Sequence, residues 1–146
     1  MSKRVVLSGY YGFKNFGDEE ILSVLINKLQ ELKQMITVIS SDPQYTKKQY
    51  KHIRSVYTFD IKNIIFLIAK SDILISGGGS LLQDTTSIKS LLYYLFIIFI
   101  ALLFGKKVII FAQGIGPITT PLGKFLTKIL LKNALRPRGA YGCRWD

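Results

Sequence analysis

The sequence predicts an α/β fold, a parallel sheet with helices on both faces. Three observations carry that prediction. Four short apolar runs rich in β-branched residues alternate with segments of helical periodicity, which indicates a parallel sheet covered on both sides. Three of those runs end in glycine-bearing loops, as strands do at the ligand-facing edge of such sheets. The chain has 146 residues, of which 49% are hydrophobic, enough to bury one full core, so a single domain is expected.

The elements follow in order. Val5-Val6-Leu7-Ser8 is a strand ending at Gly9. From Asp18 onward, Ile21, Leu22, Leu25, Ile26, Leu29 and Leu32 recur at the spacing of one helix face. Ile36-Thr37-Val38-Ile39 is the next strand, and Asp60 can cap a helix containing Ile61, Ile64, Ile65 and Ile68. A strand starts at Ile73, a helix covers Ser87 to Phe104, and Val108-Ile109-Ile110-Phe111 is the fourth strand. Thr120-Pro121 opens a last helix, with Leu122, Phe125, Leu126, Ile129 and Leu130 expected inward. Residues 1–134 form this domain. Residues 135–146 hold the only Trp and the only Cys and have no periodicity, so a truncated or frameshifted end is expected there, with a flexible terminus as the alternative.

Composition narrows the setting. Twenty Lys plus Arg against nine Asp plus Glu give a net charge of +11, which favours an anionic partner: nucleic acid, an anionic membrane or a phosphorylated substrate. The lone Cys143 excludes an internal disulfide and a cysteine-based zinc cage, and the start, Met1-Ser2-Lys3-Arg4, leads to no signal-peptide cleavage site. A cytoplasmic location is therefore expected, with the inner face of the membrane as a further option.

The most informative stretch is Ile73-Leu74-Ile75-Ser76 running into Gly77-Gly78-Gly79-Ser80-Leu81-Leu82-Gln83-Asp84. Three successive residues without Cβ let a ligand approach the backbone closely, and Gln83 and Asp84 add hydrogen-bonding groups. Asp84 is equally suited to a loop or cap role. The first loop, Gly9 to Glu20, contains glycines without the spacing of a dinucleotide fingerprint. Asp18, Glu19 and Glu20 would also repel a pyrophosphate at the helix start. Interaction with the helix dipole accounts for Glu19 and Glu20. Asp18, beside Gly17, is the candidate general base or sugar-hydroxyl acceptor. The third loop, Ala112-Gln113-Gly114-Ile115-Gly116-Pro117, presents Gln113 at a strand end.

Together, Gly12-x-x-Asn15-x-Gly17-Asp18-Glu19, the run Gly77 to Asp84 with Ser87, and Gln113-Gly114-Ile115-Gly116-Pro117 resemble the polysaccharide pyruvyltransferases, most closely the CsaB-like branch acting on cell-wall polymers. The resemblance spans about Lys3 to Ala134 and does not extend into the tail. It implies the amino-terminal half of an enzyme with two Rossmann-like domains of glycosyltransferase-B type. Such an enzyme transfers the enolpyruvyl group of phosphoenolpyruvate to a sugar as a ketal, without a cofactor. The resemblance places the phosphoenolpyruvate contacts in the carboxyl-terminal half, so the isolated chain is expected to be inactive. It leaves Asp18 as catalytic candidate, with Asn15, Gly77, Gly78, Gly79, Gln83, Asp84 and Gln113 facing a glycan acceptor, which the family allows to be lipid-linked. One histidine and one cysteine offer no transition-metal cluster. Two alternatives stand beside this: a glycosyltransferase-B half acting on a nucleotide sugar, and a non-enzymatic membrane-associated glycan-binding module.

Other segments weigh on partners. Leu91 through Phe104 is apolar for 14 residues, short of the roughly 20 needed to cross a bilayer. A core helix is expected, with contact to a membrane surface near Lys106 and Lys107 as the sharper option. Residues 45–54 mix Tyr45, Tyr50, Lys47, Lys48, Lys51, His52 and Arg54; a solvated loop is expected there, and nucleic acid is the least favoured partner. Lys124, Lys128 and Lys132 form an exposed helical stripe.

Overall fold

A computed structural model of the chain describes residues 2–77, 88–111, 121–134 and 140–142. Its elements are β1 (Arg4–Ser8), α1 (Phe16–Glu31), β2 (Met35–Ser40), α2 (Pro43–Gln49), β3 (Arg54–Tyr57), α3 (Ile61–Lys70), β4 (Ile73–Gly77), α4 (Ile88–Leu103), β5 (Lys107–Phe111), α5 (Pro121–Ala134) and β6 (Ala140–Gly142). The strands form one sheet in the order β3-β2-β1-β4-β5-β6, and every neighbouring pair is parallel. The predicted Rossmann-like α/β architecture is thus observed.

Successive residues of a strand point to opposite faces, and both faces are buried here. Val5 and Leu7 of β1 pack with Leu22, Leu25 and Ile26 of α1, whereas Val6 joins Ile64 and Ile68 of α3 and Ile97 and Ile98 of α4. The chain steps outward from β1 to β3, crosses back through α3 to β4 beside β1, and then steps the other way. The reversal between β1 and β4 is a topological switch point, where folds of this class carry a ligand crevice at the carboxyl ends of the strands.

All four predicted strands are present, and two strands and one helix were not predicted. In β3 only Val56 is buried, so the edge strand lacks the apolar run that marks its neighbours. Residues 45–54, expected as a loop, contribute to α2 and β3 instead. Asp42 caps α2 by accepting a hydrogen bond from the Tyr45 amide at 3.0 Å, and Pro43 occupies the first turn. β6 pairs with β5 within the segment that has no periodicity in sequence.

Two expectations about buried faces are corrected. α5 turns Gly123, Leu126, Thr127 and Leu130 inward or partly inward, while Leu122 (56% exposed), Phe125 (61%) and Ile129 (40%) face solvent. The helix leans on α4 through Leu126 and Leu130, which meet Leu91, Tyr94 and Leu95. That contact is narrower than the apolar arc the sequence presents, so the remainder stays outside. Leu32 is likewise 55% exposed because α1 ends at Glu31 and Leu32 is already its C-cap. The long apolar run of α4 is explained by position: the sheet, α3 and α5 cover most of its circumference, leaving Phe96, Phe99 and Leu103 exposed. Among the described residues, no helix is long and apolar enough to cross a membrane.

Candidate active site at the carboxyl edge of the sheet

The crevice between β1 and β4 is built by close backbone approach. Ser8 and Ser76 are register partners at the ends of these strands, and both are buried. A Cβ on Gly9 would lie 2.4 Å from the Gly77 carbonyl oxygen and 2.4 Å from Tyr11 Cζ, so no side chain fits there. Tyr11 is fully buried, and its hydroxyl donates to the Gly77 carbonyl at 2.7 Å. This bond ties the first loop to the end of β4. Gly12 has φ +87°, and a Cβ there would collide with Ser40 Oγ and the Asp42 amide; the Ser41 amide donates to the Tyr11 carbonyl at 3.0 Å, so the loop is also held to the end of β2.

α1 begins within this loop, at Phe16 rather than Asp18. Asn15 is its N-cap, accepting from the Gly17 amide at 3.2 Å, and Glu19 reaches back to accept from the Gly12 amide at 2.9 Å. Glu19 thereby has the structural role assigned to it, a carboxylate at a helix start closing its own entry loop. Asn15 is exposed, and its side-chain nitrogen makes no hydrogen bond among the described residues.

Asp18 differs from both. It is only 8% exposed, and its carboxylate accepts no hydrogen bond among the described residues. Burial raises its pKa above the ordinary carboxylate range, and the neighbouring Glu19 charge adds to the rise. The same proximity acts on two phenols: burial and then the Asp18 charge push Tyr11 up, and burial, Tyr93, Tyr10 and Asp18 push up Tyr94 of α4. A desolvated carboxyl whose charge acts on two tyrosines is suited to exchanging a proton with a hydroxyl. On the same loop, Tyr10 and Phe13 stack with ring centroids 3.9 Å apart and planes 8° from parallel. Both rings are exposed, as is Phe16. Tyr10, Tyr11, Phe13 and Tyr94 were not singled out from sequence. An aromatic pair three residues apart in a loop was the available signal for Tyr10 and Phe13; nothing local marks Tyr94, which arrives from a distant helix.

β1, β4 and β5 are parallel neighbours, with Gly77 paired to Phe111, so the first, second and third motif loops leave from one edge of the sheet. Gly77, Asn15 and Asp18 lie at that edge. Gly78, Gly79, Gln83, Asp84 and Gln113 fall outside the described residues.

The polysaccharide pyruvyl transferase family model matches residues 15–144, nearly the whole chain. The chain belongs to this family. Comparison with individually curated proteins gives no match. The family match begins at the helix cap Asn15 and takes in the Asp18 turn, the glycine-rich run after β4 and the loop after β5. It also runs through β6 to residue 144, whereas the resemblance of the motifs was expected to stop at Ala134. Within the tail of this pyruvyl transferase homologue, Ala140–Gly142 pair with β5 as β6.

A cavity of about 440 Å³ lies at the opposite edge. It is lined by Arg4, Gln34, His52, Arg54, Phe66 and Lys70, near the starts of β1, β2 and β3. Lys70 occupies the last turn of α3, where a cation offsets the carbonyl end of the helix dipole. None of the three motif loops leaves from this edge.

Proposed function

We propose that this chain supplies the acceptor side of a reaction in which the enolpyruvyl group of phosphoenolpyruvate becomes a pyruvyl ketal on a cell-wall sugar. The observation that carries the reading is Asp18, a buried carboxyl of raised pKa at the β1/β4 crevice, on a loop that also offers an exposed aromatic pair.

The chemistry asks for a base and an acid. A proton is added to the methylene carbon of the donor, and one sugar hydroxyl attacks the resulting cationic carbon as its own proton is removed. The carbon–phosphate oxygen bond then breaks, phosphate leaves, and a second hydroxyl closes the ketal with loss of its proton. Asp18 takes the proton of an attacking hydroxyl, a role for which desolvation makes its carboxylate more basic. Tyr10 and Phe13 give a flat apolar surface against which the C–H face of a sugar ring rests. Asn15 donates its side-chain amide to a ring hydroxyl, and Gly77 lets the acceptor approach the end of β4. Gly78, Gly79, Gln83, Asp84 and Gln113 complete this acceptor surface.

The phosphoenolpyruvate contacts belong, on this reading, to a carboxyl-terminal domain of a glycosyltransferase-B-type pair, and the 146 residues alone do not turn over. The test joins the chain to the carboxyl-terminal domain of a family relative and supplies phosphoenolpyruvate with glycan acceptors. Phosphate release accompanied by addition of one pyruvyl group, seen by mass spectrometry and lost in Asp18→Asn, is the expected result. Consumption of a nucleotide sugar in place of phosphoenolpyruvate would replace this reading with glycosyl transfer.

A further inference from the structure

The outer face of the α4 and α5 layer takes no part in the crevice. α4 leaves Phe96, Phe99 and Leu103 exposed, and α5 leaves Leu122, Phe125 and Ile129 exposed. Within each helix these positions recur at i, i+3 and i+7, so each set is one stripe. The helices pack directly against one another through Leu91, Tyr94 and Leu95 on one side and Leu126 and Leu130 on the other. The two stripes therefore lie on neighbouring helices, away from the sheet, and make an apolar surface of a kind soluble domains seldom leave uncovered.

Charge selects what covers it. α3, α4 and α5 together contain six lysines and no aspartate or glutamate. On α5, the exposed Lys124, Lys128 and Lys132 line one flank of the stripe, a turn apart. The bias is regional: residues 61–146 hold eleven basic and three acidic side chains, whereas residues 1–60 hold nine and six. Protein–protein interfaces are depleted in lysine, while an apolar stripe of Phe and Leu flanked by lysines is the composition that settles on anionic lipid. We propose that the α4 and α5 face docks on an anionic bilayer, with the Phe and Leu side chains at the headgroup boundary and the lysines on lipid phosphates. Docking on a helix layer that runs alongside the sheet leaves the carboxyl-edge crevice open at the side of the contact. The proposal is independent of the pyruvyl-transfer reading.

Flotation of the full chain with phosphatidylcholine vesicles, with and without phosphatidylglycerol, tests it. The chain should float with the anionic vesicles and lose at least about tenfold in partitioning on neutral ones. Phe99→Ser combined with Phe125→Ser should lower binding to anionic vesicles at least about tenfold, with an unchanged circular dichroism spectrum and melting temperature. Independently, Lys124→Gln, Lys128→Gln and Lys132→Gln should each cost about fivefold. Val24→Ser, at an exposed apolar position on α1, should change nothing. No flotation, or flotation that survives both sets of substitutions, overturns the proposal. So does a concentration-dependent dimer, seen by sedimentation, that Phe99→Ser with Phe125→Ser dissociates in a chain that binds no vesicles; the face then meets a second copy.

Discussion

Gly9→Ala is the substitution that most directly probes how the crevice is built. The added Cβ would sit 2.4 Å from the Gly77 carbonyl oxygen and 2.4 Å from Tyr11 Cζ, about an ångström inside ordinary contact. Neither neighbour yields easily. The carbonyl belongs to β4, which is held by ladders to both β1 and β5, and the Tyr11 ring is fully buried. Overpacking of this kind costs about 1–3 kcal/mol. Relief by moving the ring breaks the hydroxyl bond to Gly77 and leaves a buried carbonyl without its donor, a further cost of about 1–3 kcal/mol. The expected loss is about 2–6 kcal/mol, a large part of the roughly 5–15 kcal/mol that holds a domain folded. Urea titration followed by far-ultraviolet circular dichroism reads it as a lower midpoint at unchanged slope. Tyr11→Phe, which keeps the ring and removes only the hydroxyl, should lose about 1–3 kcal/mol alone. Combined with Gly9→Ala it should lose less than the two separate losses added together, because both act on the same bond. A Gly9→Ala chain within about 0.5 kcal/mol of the parent would refute the close approach of β1 and β4 that defines the crevice.

Three further outcomes follow from the same geometry. Asp18 is raised above its unfolded pKa, so its ionisation opposes folding: stability falls as pH rises from the ordinary aspartate range through the folded value. Asp18→Asn should match the parent below about pH 4 and be the more stable chain at neutral pH, by urea titration, while its turnover in the two-domain enzyme drops by at least about 100-fold. Removing the exposed rings in Tyr10→Ala and Phe13→Ala should weaken acceptor binding several-fold in a titration calorimeter and shift stability by no more than about 0.5 kcal/mol. Thr127 Oγ1 is buried on α5 without a hydrogen-bond partner among the described residues, so Thr127→Val should raise stability by about 1 kcal/mol in the same urea assay.

The sheet was legible wherever a strand is buried on both faces. Val5 to Leu7, Ile36, Val38, Ile39 and Ile73 to Ile75 are apolar because each must satisfy a helix layer or the close neighbours of an inner strand, and Val108 to Phe111 is apolar although only Val108 is fully buried. β3 and β6 escaped because edge strands need carry no apolar run; of β3 only Val56 joins the core. Within the site, Asp18 stands out in the sequence beside Gly17, in what the fold makes the first turn of α1. Tyr11, in the same loop and a residue the crevice depends on, does not: its role is a hydrogen bond across 66 positions of sequence.

Periodicity and loop composition, by themselves, determined the α/β alternation, the edge from which three motif loops leave and the family those motifs resemble. Such features are local, set by the spacing of side chains along a strand or helix and by where glycine relieves the backbone. Only the tertiary structure decided which part of each apolar arc is covered. Leu126 and Leu130 meet α4, while Leu122, Phe125 and Ile129 of the same helix do not, because burial depends on how closely a neighbouring element leans and not on the helix that supplies the side chain. It likewise decided that Asp18 is desolvated and bordered by Tyr94, since the environment of a carboxyl is made by residues distant in the chain.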